Sequence, residues 1–363
     1  MQNKKAKILV LFVEPMLYIM DLIKNVYEKT PYEFQYVFCY DKLTGKDNLC
    51  LPKEAVVCQG KPAERKKQIQ AVFKEFSPSL AVINGYVGLE QETAIRWCQA
   101  HNVPYAIETD TPLHIPKSPI KAALKKLYLR TLLKNKLCYG FPGGTPQKKN
   151  LVYYGIPEER CHIMPMCVST DRLRAQAGTL PDKDTLKAKH GLAGKNVFLF
   201  VGRLEKVKNI PVLLEAFSQL KKEDPNVALM IVGDGSETAA LKELAAGIED
   251  VYFAGYVVFP ELVEYYKLAD VLVLPSSYES WGLVINEAQA LGLPVVVSSC
   301  VGCGKDLIIA GNNGYIFSDD NAEELTRAME KSLLLDQPDV YMADQWNHEK
   351  YYQNFLIAVK HIC

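Results

Sequence analysis

The sequence predicts an α/β protein with room for two domains, each built on a parallel sheet of the doubly wound kind. Two observations lead to this fold class. The chain has 363 residues, 48% of them hydrophobic, which is enough for two α/β domains of ordinary size with buried cores. Short apolar runs alternate with longer amphipathic stretches, which is the pattern of strands and helices in a doubly wound sheet.

Composition excludes several classes of protein. The 42 Lys and Arg residues balance the 42 Asp and Glu residues, so no overall field attracts nucleic acid and no nucleic-acid partner is expected. No apolar run reaches the roughly 18 residues that span a bilayer. The first predicted strand is followed by Glu14-Pro15 without a small-residue cleavage site, which does not fit a signal peptide.

The ten cysteines are scattered, and several lie in apolar strand-like runs where Cys acts as a small hydrophobic residue. This usage indicates a reducing, cytoplasmic compartment. The single CxxC, Cys300 to Cys303, has no second pair and no histidine at zinc-finger spacing. We therefore expect neither a zinc site nor a redox role there.

The first half alternates strand and helix. Predicted strands are Ala6–Val13, Phe34–Tyr40, Ala55–Cys58, Leu80–Asn84, Tyr105–Glu108, Leu137–Phe141 and His162–Met166, with helices at Glu64–Phe76, Gln91–His101 and Ile120–Leu133. The second half continues the pattern. Its predicted strands are Val197–Val201, Ala228–Val232, Val251–Phe253, Val271–Leu274 and Val295–Val297, with helices at Asp182–His190, Ile210–Leu220, Glu261–Leu268, Ala322–Leu334 and the polar, aromatic segment 341–363.

Two carboxylates, Glu279 and Glu287, stand eight residues apart within Leu274–Val297. Glu279 follows a strand, at the carboxyl end where open α/β sheets bind ligands. Glu287 lies about two turns into a helix predicted to begin near Ser280, roughly 12 Å further on at ~1.5 Å per residue. That spacing suits an extended ligand such as a nucleotide-sugar, with its anion at the N–H groups of the helix start. The alternative is that both glutamates are solvated surface residues.

A second motif follows the strand Val197–Val201. It reads G-R-L-E-K-V-K-N over residues 202–209. Gly202 lets a phosphate approach the backbone, Arg203 offers a rigid fork of donors, and Lys208 supplies a point charge. These residue types suit a diphosphate.

Together the two motifs resemble the retaining glycosyltransferases related to glycogen and sucrose synthases, the glycosyl transferases group 1. The segment E-S-W-G-L-V-I-N-E (279–287) is similar to the E-x7-E motif of that family, and 288–295 to its A-x-A-x-G-x-P-V continuation. Residues 202–209 resemble its G-R-L-x-x-x-K-N motif. The resemblance implies a GT-B fold, with two Rossmann-like domains facing across a cleft and a last helix that crosses back to the first.

The resemblance also implies that acceptor and donor bind to different domains. Residues 1–170, completed by the helix 341–363, would form an acceptor-side domain. Residues 171–340 would form the donor domain, with a nucleoside-diphosphate sugar as donor substrate and no cofactor. The family's Gly-Gly loop after the first strand is absent, because the chain reads Val13-Glu14-Pro15-Met16-Leu17-Tyr18 there.

The implied roles attach to particular residues. Arg203 and Lys208 would bind the diphosphate and stabilise the leaving group, Glu279 would contact the donor sugar, and Glu287 the ribose hydroxyls. The full donor-binding set is Gly202, Arg203, Lys208, Gly233, Tyr256, Glu279, Ser280, Trp281, Gly282, Leu283 and Glu287. In relatives, a His near the end of the strand that corresponds to Tyr105–Glu108 reaches toward the donor sugar. Asp110 is the nearest match here and joins the catalytic candidates, with His114 four residues on, although Asp110 also fits a loop-capping role.

No metal site is predicted, because Arg203, Lys208 and helix N-termini can neutralise a diphosphate. The one D-x-D triplet, Asp182-Lys183-Asp184, opens a short helix after Pro181 and fits helix capping. Gly233-Asp234-Gly235 lacks the third glycine of a dinucleotide fingerprint, since position 238 is Thr.

The sequence thus predicts a retaining hexosyltransferase that acts on a sugar hydroxyl of a cell-surface polysaccharide or lipid-linked precursor. The alternatives are a nucleotide-sugar epimerase or hydrolase, and a donor-binding subunit without catalytic activity.

Residues 117–136 carry six Lys, one Arg and no acid, interleaved with apolar residues near helical spacing. Such a helix either lies on an anionic membrane surface or docks on its own sheet with a solvated basic face.

Overall fold

The computed structural model describes residues 5–41, 50–335 and 341–363, and divides into two compact units. The first comprises Met1–Val168 with Asn347–Cys363, and the second comprises Ser169–Trp346. Each unit holds a six-stranded sheet whose strands pair in parallel, flanked by helices, so both are Rossmann-like. The helix Tyr341–Gln345 lies in the second unit, whereas the sequence had assigned 341–363 as a whole to the first.

The first unit begins with alternating strands and helices. They are β1 (Lys7–Phe12), α1 (Leu17–Asn25), β2 (Glu33–Phe38), β3 (Val56–Val57), α2 (Pro62–Phe76), β4 (Leu80–Asn84), α3 (Leu89–His101), β5 (Tyr105–Thr109), α4 (Pro119–Leu133), β6 (Cys138–Pro142) and α5 (Thr145–Tyr154). The strand order is β3-β2-β1-β4-β5-β6. The chain therefore reverses its winding direction between β1 and β4, which are hydrogen-bonded neighbours.

The prediction of a strand at His162–Met166 is wrong. This segment runs beside β6, where the His162 N–H donates to the Gly140 carbonyl at 2.8 Å and the Met164 N–H to the Pro142 carbonyl at 2.9 Å. The ladder stays one-sided at Pro142, which has no N–H to return a hydrogen bond. Only an isolated bridge between Gly140 and Cys161 forms there.

The second unit is continuous in sequence. Its elements are α6 (Thr170–Thr179), α7 (Lys183–Lys189), β7 (Asn196–Val201), α8 (Ile210–Glu223), β8 (Val227–Val232), α9 (Thr238–Ala245), β9 (Val251–Gly255), α10 (Leu262–Leu268), β10 (Val271–Leu274), α11 (Leu283–Ala290), β11 (Val295–Ser298), α12 (Gly304–Leu307), β12 (Gly314–Phe317), α13 (Ala322–Leu333) and α14 (Tyr341–Gln345). The strand order is β12-β11-β10-β7-β8-β9. Strands β8 and β10 are buried along their whole length, as expected of parallel strands covered on both faces.

The chain then returns to the first unit as α15 (His348–Ile362). Tyr351, Phe355, Ala358 and Val359 of this helix are buried in the core that also contains β1 residues such as Ile8. The rings of Phe355 and Tyr27 lie 5.1 Å apart between centroids. Helix α15 is therefore an integral part of the first hydrophobic core.

Helix α4 packs on the first unit through one face only. Leu129, Leu132 and Leu133 are buried, whereas Ile120, Leu124 and Leu127 are 72%, 62% and 68% exposed. The exposed three recur at helical spacing, so they form one apolar stripe. The surrounding sequence 111–157 contains eight Lys and one Arg but no Asp or Glu. No helix in the described part of the chain is long and apolar enough to cross a membrane.

Candidate functional site

The carboxyl ends of β7 and β10 lie side by side at the point where the second sheet reverses its winding. From β7 the chain winds outward through β8 and β9, then returns to place β10 on the opposite side of β7. Ligands of open α/β sheets bind in the crevice at such a switch point. The two loops that border it are residues 202–209 and 275–282.

The loop after β7 is held in place by its neighbour after β8. The Gly202 N–H donates to the Val232 carbonyl at 3.0 Å, and the Leu204 N–H to the Asp234 carbonyl at 3.0 Å. Residues 206–208 form a short 3-10 turn, and α8 begins directly after Asn209. Arg203 is exposed, so its guanidinium is accessible to a ligand.

The glycines of the loop after β8 allow this close approach. A Cβ on Gly233 would lie 1.9 Å from the Gly202 carbonyl oxygen, and one on Gly235 would lie 2.4 Å from the Leu204 carbonyl oxygen. Gly233 also has a φ of 143°, in the region that side chains rarely adopt. The sequence predicted Gly233 as a donor-binding residue, and the structure gives it a packing role against the loop that carries Arg203.

The loop after β10 contacts the loop after β7 directly. The Ser277 N–H donates to the Val207 carbonyl at 2.9 Å, and the Lys208 ammonium donates to the Glu279 carboxylate. The side chains of Lys208 and Glu279 are only 15% and 19% exposed, so water screens this ion pair weakly. The structure thus brings together two of the predicted catalytic residues, which lie on different sequence motifs.

A third loop, which the sequence analysis did not assign to the site, supports Glu279. The Gly302 N–H donates to the Glu279 carbonyl at 3.0 Å and the Cys303 N–H to the Trp281 carbonyl at 3.1 Å. A Cβ on Gly302 would lie 2.0 Å from the Ser280 carbonyl oxygen. Glycine at this position was the available signal, because only a residue without a side chain permits such a contact.

Helix α11 begins at Leu283, with Gly282 as its N-cap at a φ of 100°, and not near Ser280 as predicted. Trp281 is 2% exposed, and its indole N–H donates to the Asn286 side-chain oxygen at 2.9 Å. Trp281 therefore anchors the start of α11 and is closed to a ligand by burial. Ser280 and Leu283 are partly exposed at the loop and helix start.

Glu287 is partly buried on α11, where it accepts a hydrogen bond from the Tyr266 hydroxyl at 2.5 Å. Burial raises the pKa of Glu287 above its usual value, although the hydrogen bond from Tyr266 and the charge of Arg172 oppose the increase. The sequence gave no signal for Tyr266, because the contact depends on how α10 packs beside α11. The predicted contact of Glu287 with ribose hydroxyls remains a prediction.

Tyr256 follows β9 directly and is 50% exposed. The carbonyl of the preceding residue, Gly255, accepts a hydrogen bond from the Gly233 N–H at 2.8 Å. Backbone hydrogen bonds thus link the start of the Tyr256 loop to the loop after β8, which in turn contacts the loop after β7. The side chain of Tyr256 is accessible beside these loops.

Asp110 lies in the first unit, at the carboxyl end of β5. It lines a cavity together with Tyr18, Asn84, Glu108 and Tyr351. Burial raises the pKa of Glu108, and hydrogen bonds from Tyr351 and Asn84 oppose that increase. Burial, followed by the carboxylates of Asp110 and Glu108, raises the pKa of Tyr18. His114 is exposed and does not line this cavity.

Within residues 5–41, 50–335 and 341–363, no group of three or more His, Cys, Asp and Glu side chains is placed to hold a metal ion. Asp182 caps α7, where its carboxylate accepts from the Thr185 N–H at 2.9 Å, as predicted for the D-x-D triplet. Cys300 and Cys303 are both free thiols, and burial raises the pKa of each.

The two Rossmann-like units, the second with a basic loop and a glutamate loop at its switch point, fit the GT-B fold. Residues 182–350 match the model of the family Glycosyl transferases group 1.

Sequence relatives match part of the chain. A D-inositol 3-phosphate glycosyltransferase of Geodermatophilus obscurus is 36% identical over 163 residues, which are 41% of this chain and 35% of the relative. A mannosylfructose-phosphate synthase of Agrobacterium fabrum is 30% identical over 205 residues, 53% of this chain and 44% of the relative. The chain thus spans less than half the length of these curated relatives.

Solved structures resemble the whole chain. A glycosyltransferase from Rickettsia africae superposes with a TM-score of 0.78 at 18% identity, and 99% of each chain is covered. An Anabaena protein solved in complex with UDP and glucose gives a TM-score of 0.73 at 18% identity, over 98% of this chain and 100% of that one. At these identities the similarity shows the fold.

Proposed function

We propose that this protein transfers a hexose from a nucleoside-diphosphate sugar to a hydroxyl of a saccharide acceptor, with retention of configuration. The observation that carries the proposal is the meeting of Lys208 and Glu279 at the switch point of a group 1 glycosyltransferase domain. A cationic loop beside a carboxylate suits a donor with a diphosphate at one end and hydroxyls at the other. The Anabaena structure with UDP and glucose favours a uridine nucleotide as the first donor to test.

The residues divide the chemistry between them. Arg203 can bind the diphosphate through two parallel hydrogen bonds, and Lys208 can neutralise the charge that grows on the leaving oxygen. The bond between the anomeric carbon and the diphosphate breaks, and the nucleoside diphosphate leaves with the electron pair. The acceptor oxygen bonds to the same face of the carbon, and its proton passes to the departing phosphate.

A thermal-shift screen tests the donor site. The purified protein is heated with UDP, GDP and their sugar conjugates, with and without EDTA. A ligand that binds only the folded state adds about 2.7 kcal/mol at one hundred times its dissociation constant. The proposal expects a shift with one base that EDTA leaves unchanged, that Lys208→Ala reduces, and that Cys300→Ser preserves. No shift with any nucleotide would contradict it and favour a silent subunit.

Products separate the remaining alternatives. A transferase forms a glycoside only when an acceptor is present, whereas an epimerase or a hydrolase converts the nucleotide-sugar alone. The anomeric proton coupling of the new glycoside in NMR tests retention, because an inverted product has the opposite anomeric configuration to the donor.

For the acceptor, a cell-surface polysaccharide or lipid-linked precursor is proposed, with α4 lying on an anionic membrane surface. The support is the apolar stripe Ile120, Leu124 and Leu127, flanked by lysines in a stretch without acids. Apolar side chains enter the headgroup boundary while lysines bind anionic lipid.

Vesicle flotation tests this contact. The protein should float with phosphatidylglycerol vesicles and not with phosphatidylcholine vesicles, and the double variant Leu124→Gln with Leu127→Gln should stay at the bottom. Leu244→Gln is the matched control, because Leu244 is 52% exposed on α9 of the second unit. Equal flotation of the double variant would make the stripe irrelevant to membrane binding.

A further inference from the structure

The first unit contains a cavity that the donor chemistry does not use. It lies at the carboxyl ends of β1, β4 and β5, beside the switch point of the first sheet. Its empty space, including the opening to solvent, is about 560 Å³. Small-molecule sites of open α/β sheets occur at such strand ends.

The ionisable carboxyl side chains in the lining of this cavity have no basic side chain beside them in that lining. Twelve residues line the cavity, including the carboxyl side chains of Glu108 and Asp110, and none of the twelve is Lys, Arg or His. A phosphate or carboxylate in this cavity would lose its water and face carboxyl groups without a lining cation to offset the cost.

A chain of hydrogen bonds holds the inner carboxyl in place. The Tyr351 hydroxyl donates to Glu108 Oε1 at 2.6 Å, and the hydroxyls of Tyr351 and Tyr27 lie 2.8 Å apart. Tyr27, Glu108 and Tyr351 are all buried, so their orientations are fixed before a ligand arrives. Fixed polar groups bind a ligand with less ordering cost than mobile ones.

The remaining walls suit a sugar ring. Phe12, Ile19, Leu22 and Met166 give an apolar side, while Asn84, Asp110 and Tyr18 give donors and acceptors. A pyranose presents both kinds of surface, since its C–H faces are apolar and its hydroxyls donate and accept. An amino group on the ring would add attraction to Asp110.

We propose that this cavity binds the acceptor as a sugar unit without an anionic group, and that Asp110 excludes phosphorylated sugars. This inference rests on the proposed function for its meaning, because it names the acceptor class of the same enzyme. Asp110, which the sequence marked as a catalytic candidate, becomes a residue that determines specificity.

The test uses the full-length chain at pH 7, saturated with UDP, and measures sugar binding by saturation-transfer NMR. The probes are glucosamine, glucose and glucose 6-phosphate. We expect glucosamine to bind at least as tightly as glucose, and glucose 6-phosphate at least tenfold more weakly. Asp110→Asn should bring glucose and glucose 6-phosphate to within about threefold of each other. Asp184→Asn, an exposed aspartate on α7 of the second unit, should keep the wild-type order.

The outcomes separate this inference from the proposed function. The inference is overturned if the wild-type protein binds glucose 6-phosphate as tightly as glucose or more tightly. It is also overturned if Asp110→Asn leaves the difference between the two affinities unchanged. If UDP raises the unfolding temperature but no sugar binds, the acceptor inference fails and the donor site stands. If UDP does not raise the unfolding temperature, the proposed function fails. The order of sugar affinities measured without nucleotide then still decides whether the cavity excludes phosphorylated sugars.

Discussion

The ammonium of Lys208 donates a hydrogen bond to the carboxylate of Glu279, a residue 71 positions further along the chain. The pair joins the loop after β7 to the loop after β10 across the switch point of the second sheet. Glu279 therefore already satisfies the cation that the proposed diphosphate site needs. In the proposed donor site, binding of the diphosphate exchanges one anionic partner of Lys208 for another.

This exchange gives opposite predictions for two substitutions. Lys208→Ala should weaken UDP binding about tenfold to a hundredfold, because hydrogen bonds to charged groups contribute ~1.5–3 kcal/mol. Glu279→Gln should tighten UDP binding several-fold, since Lys208 loses its competing carboxylate, while turnover falls at least tenfold. Titration calorimetry with UDP and initial rates measure the two effects. A Glu279→Gln variant that loses UDP affinity as Lys208→Ala does would show that Glu279 mainly positions the lysine.

The Tyr266 hydroxyl predicts a shift in pH dependence. Burial raises the pKa of Glu287, and the hydrogen bond from Tyr266 holds that increase down. Tyr266→Phe should therefore raise the pKa of Glu287 further and move the acid limb of UDP affinity to higher pH. Titrations between pH 4.5 and 8 check the direction. Wild-type and variant profiles that coincide would mean that ionisation of Glu287 does not govern nucleotide binding.

The close contact between Gly202 and Gly233 leads us to expect that a side chain at position 233 lowers both stability and UDP affinity. Gly233→Ala places a methyl group 1.9 Å from the Gly202 carbonyl oxygen, so the loop that carries Arg203 must move. We expect a lower unfolding temperature and at least a tenfold loss of UDP affinity. Gly247→Ala serves as the control, because nothing lies within 4 Å of the Cβ it would add. Comparable losses in both variants would argue against a specific role for this loop contact.

We expect the stability of the second unit to fall at acidic pH because of Asp250. Burial tends to raise the pKa of Asp250, but hydrogen bonds from Lys195, Lys221 and Tyr252 outweigh it and lower the pKa to about 2. Since the folded-state pKa lies below the ordinary value of 3.8, the ionised side chain stabilises the fold above pH 3.8, and this contribution is lost as the pH falls toward 2.

At ~1.4 kcal/mol per pKa unit, Asp250→Asn should cost about 2 kcal/mol at pH 7 and roughly half of that at pH 3. Urea unfolding at the two pH values measures the difference, with the exposed Asp184→Asn as the control. A cost that stays constant between pH 7 and pH 3 would point to lost packing instead of lost charge.

The two motifs that mark the site were predictable because each is compact in sequence. Residues 202–209 and 279–287 combine charge, glycine and a flanking apolar strand within a few positions. The contact between Lys208 and Glu279 was not predictable from either motif, since it depends on β7 and β10 becoming neighbours. The role of Tyr266 depends in the same way on the packing of α10 near α11.

Local signals also misjudged some boundaries. The start of α11 was placed near Ser280, although the left-handed φ of Gly282 delays the helix to Leu283. The helix α1 (Leu17–Asn25) was not among the elements predicted from the sequence. The apolar run His162–Met166 looked like a strand, and the proline within it, Pro165, was the signal against that assignment.

The path of the chain through α15 has a consequence for biosynthesis. The ribosome releases residues 5–168 long before it adds 348–362, and Tyr351, Phe355 and Val359 are needed to fill the first core. The second unit is contiguous and can close while synthesis continues. Until α15 arrives, the nascent first unit exposes apolar surface of β1 and α1, so a chaperone has a long opportunity to bind there.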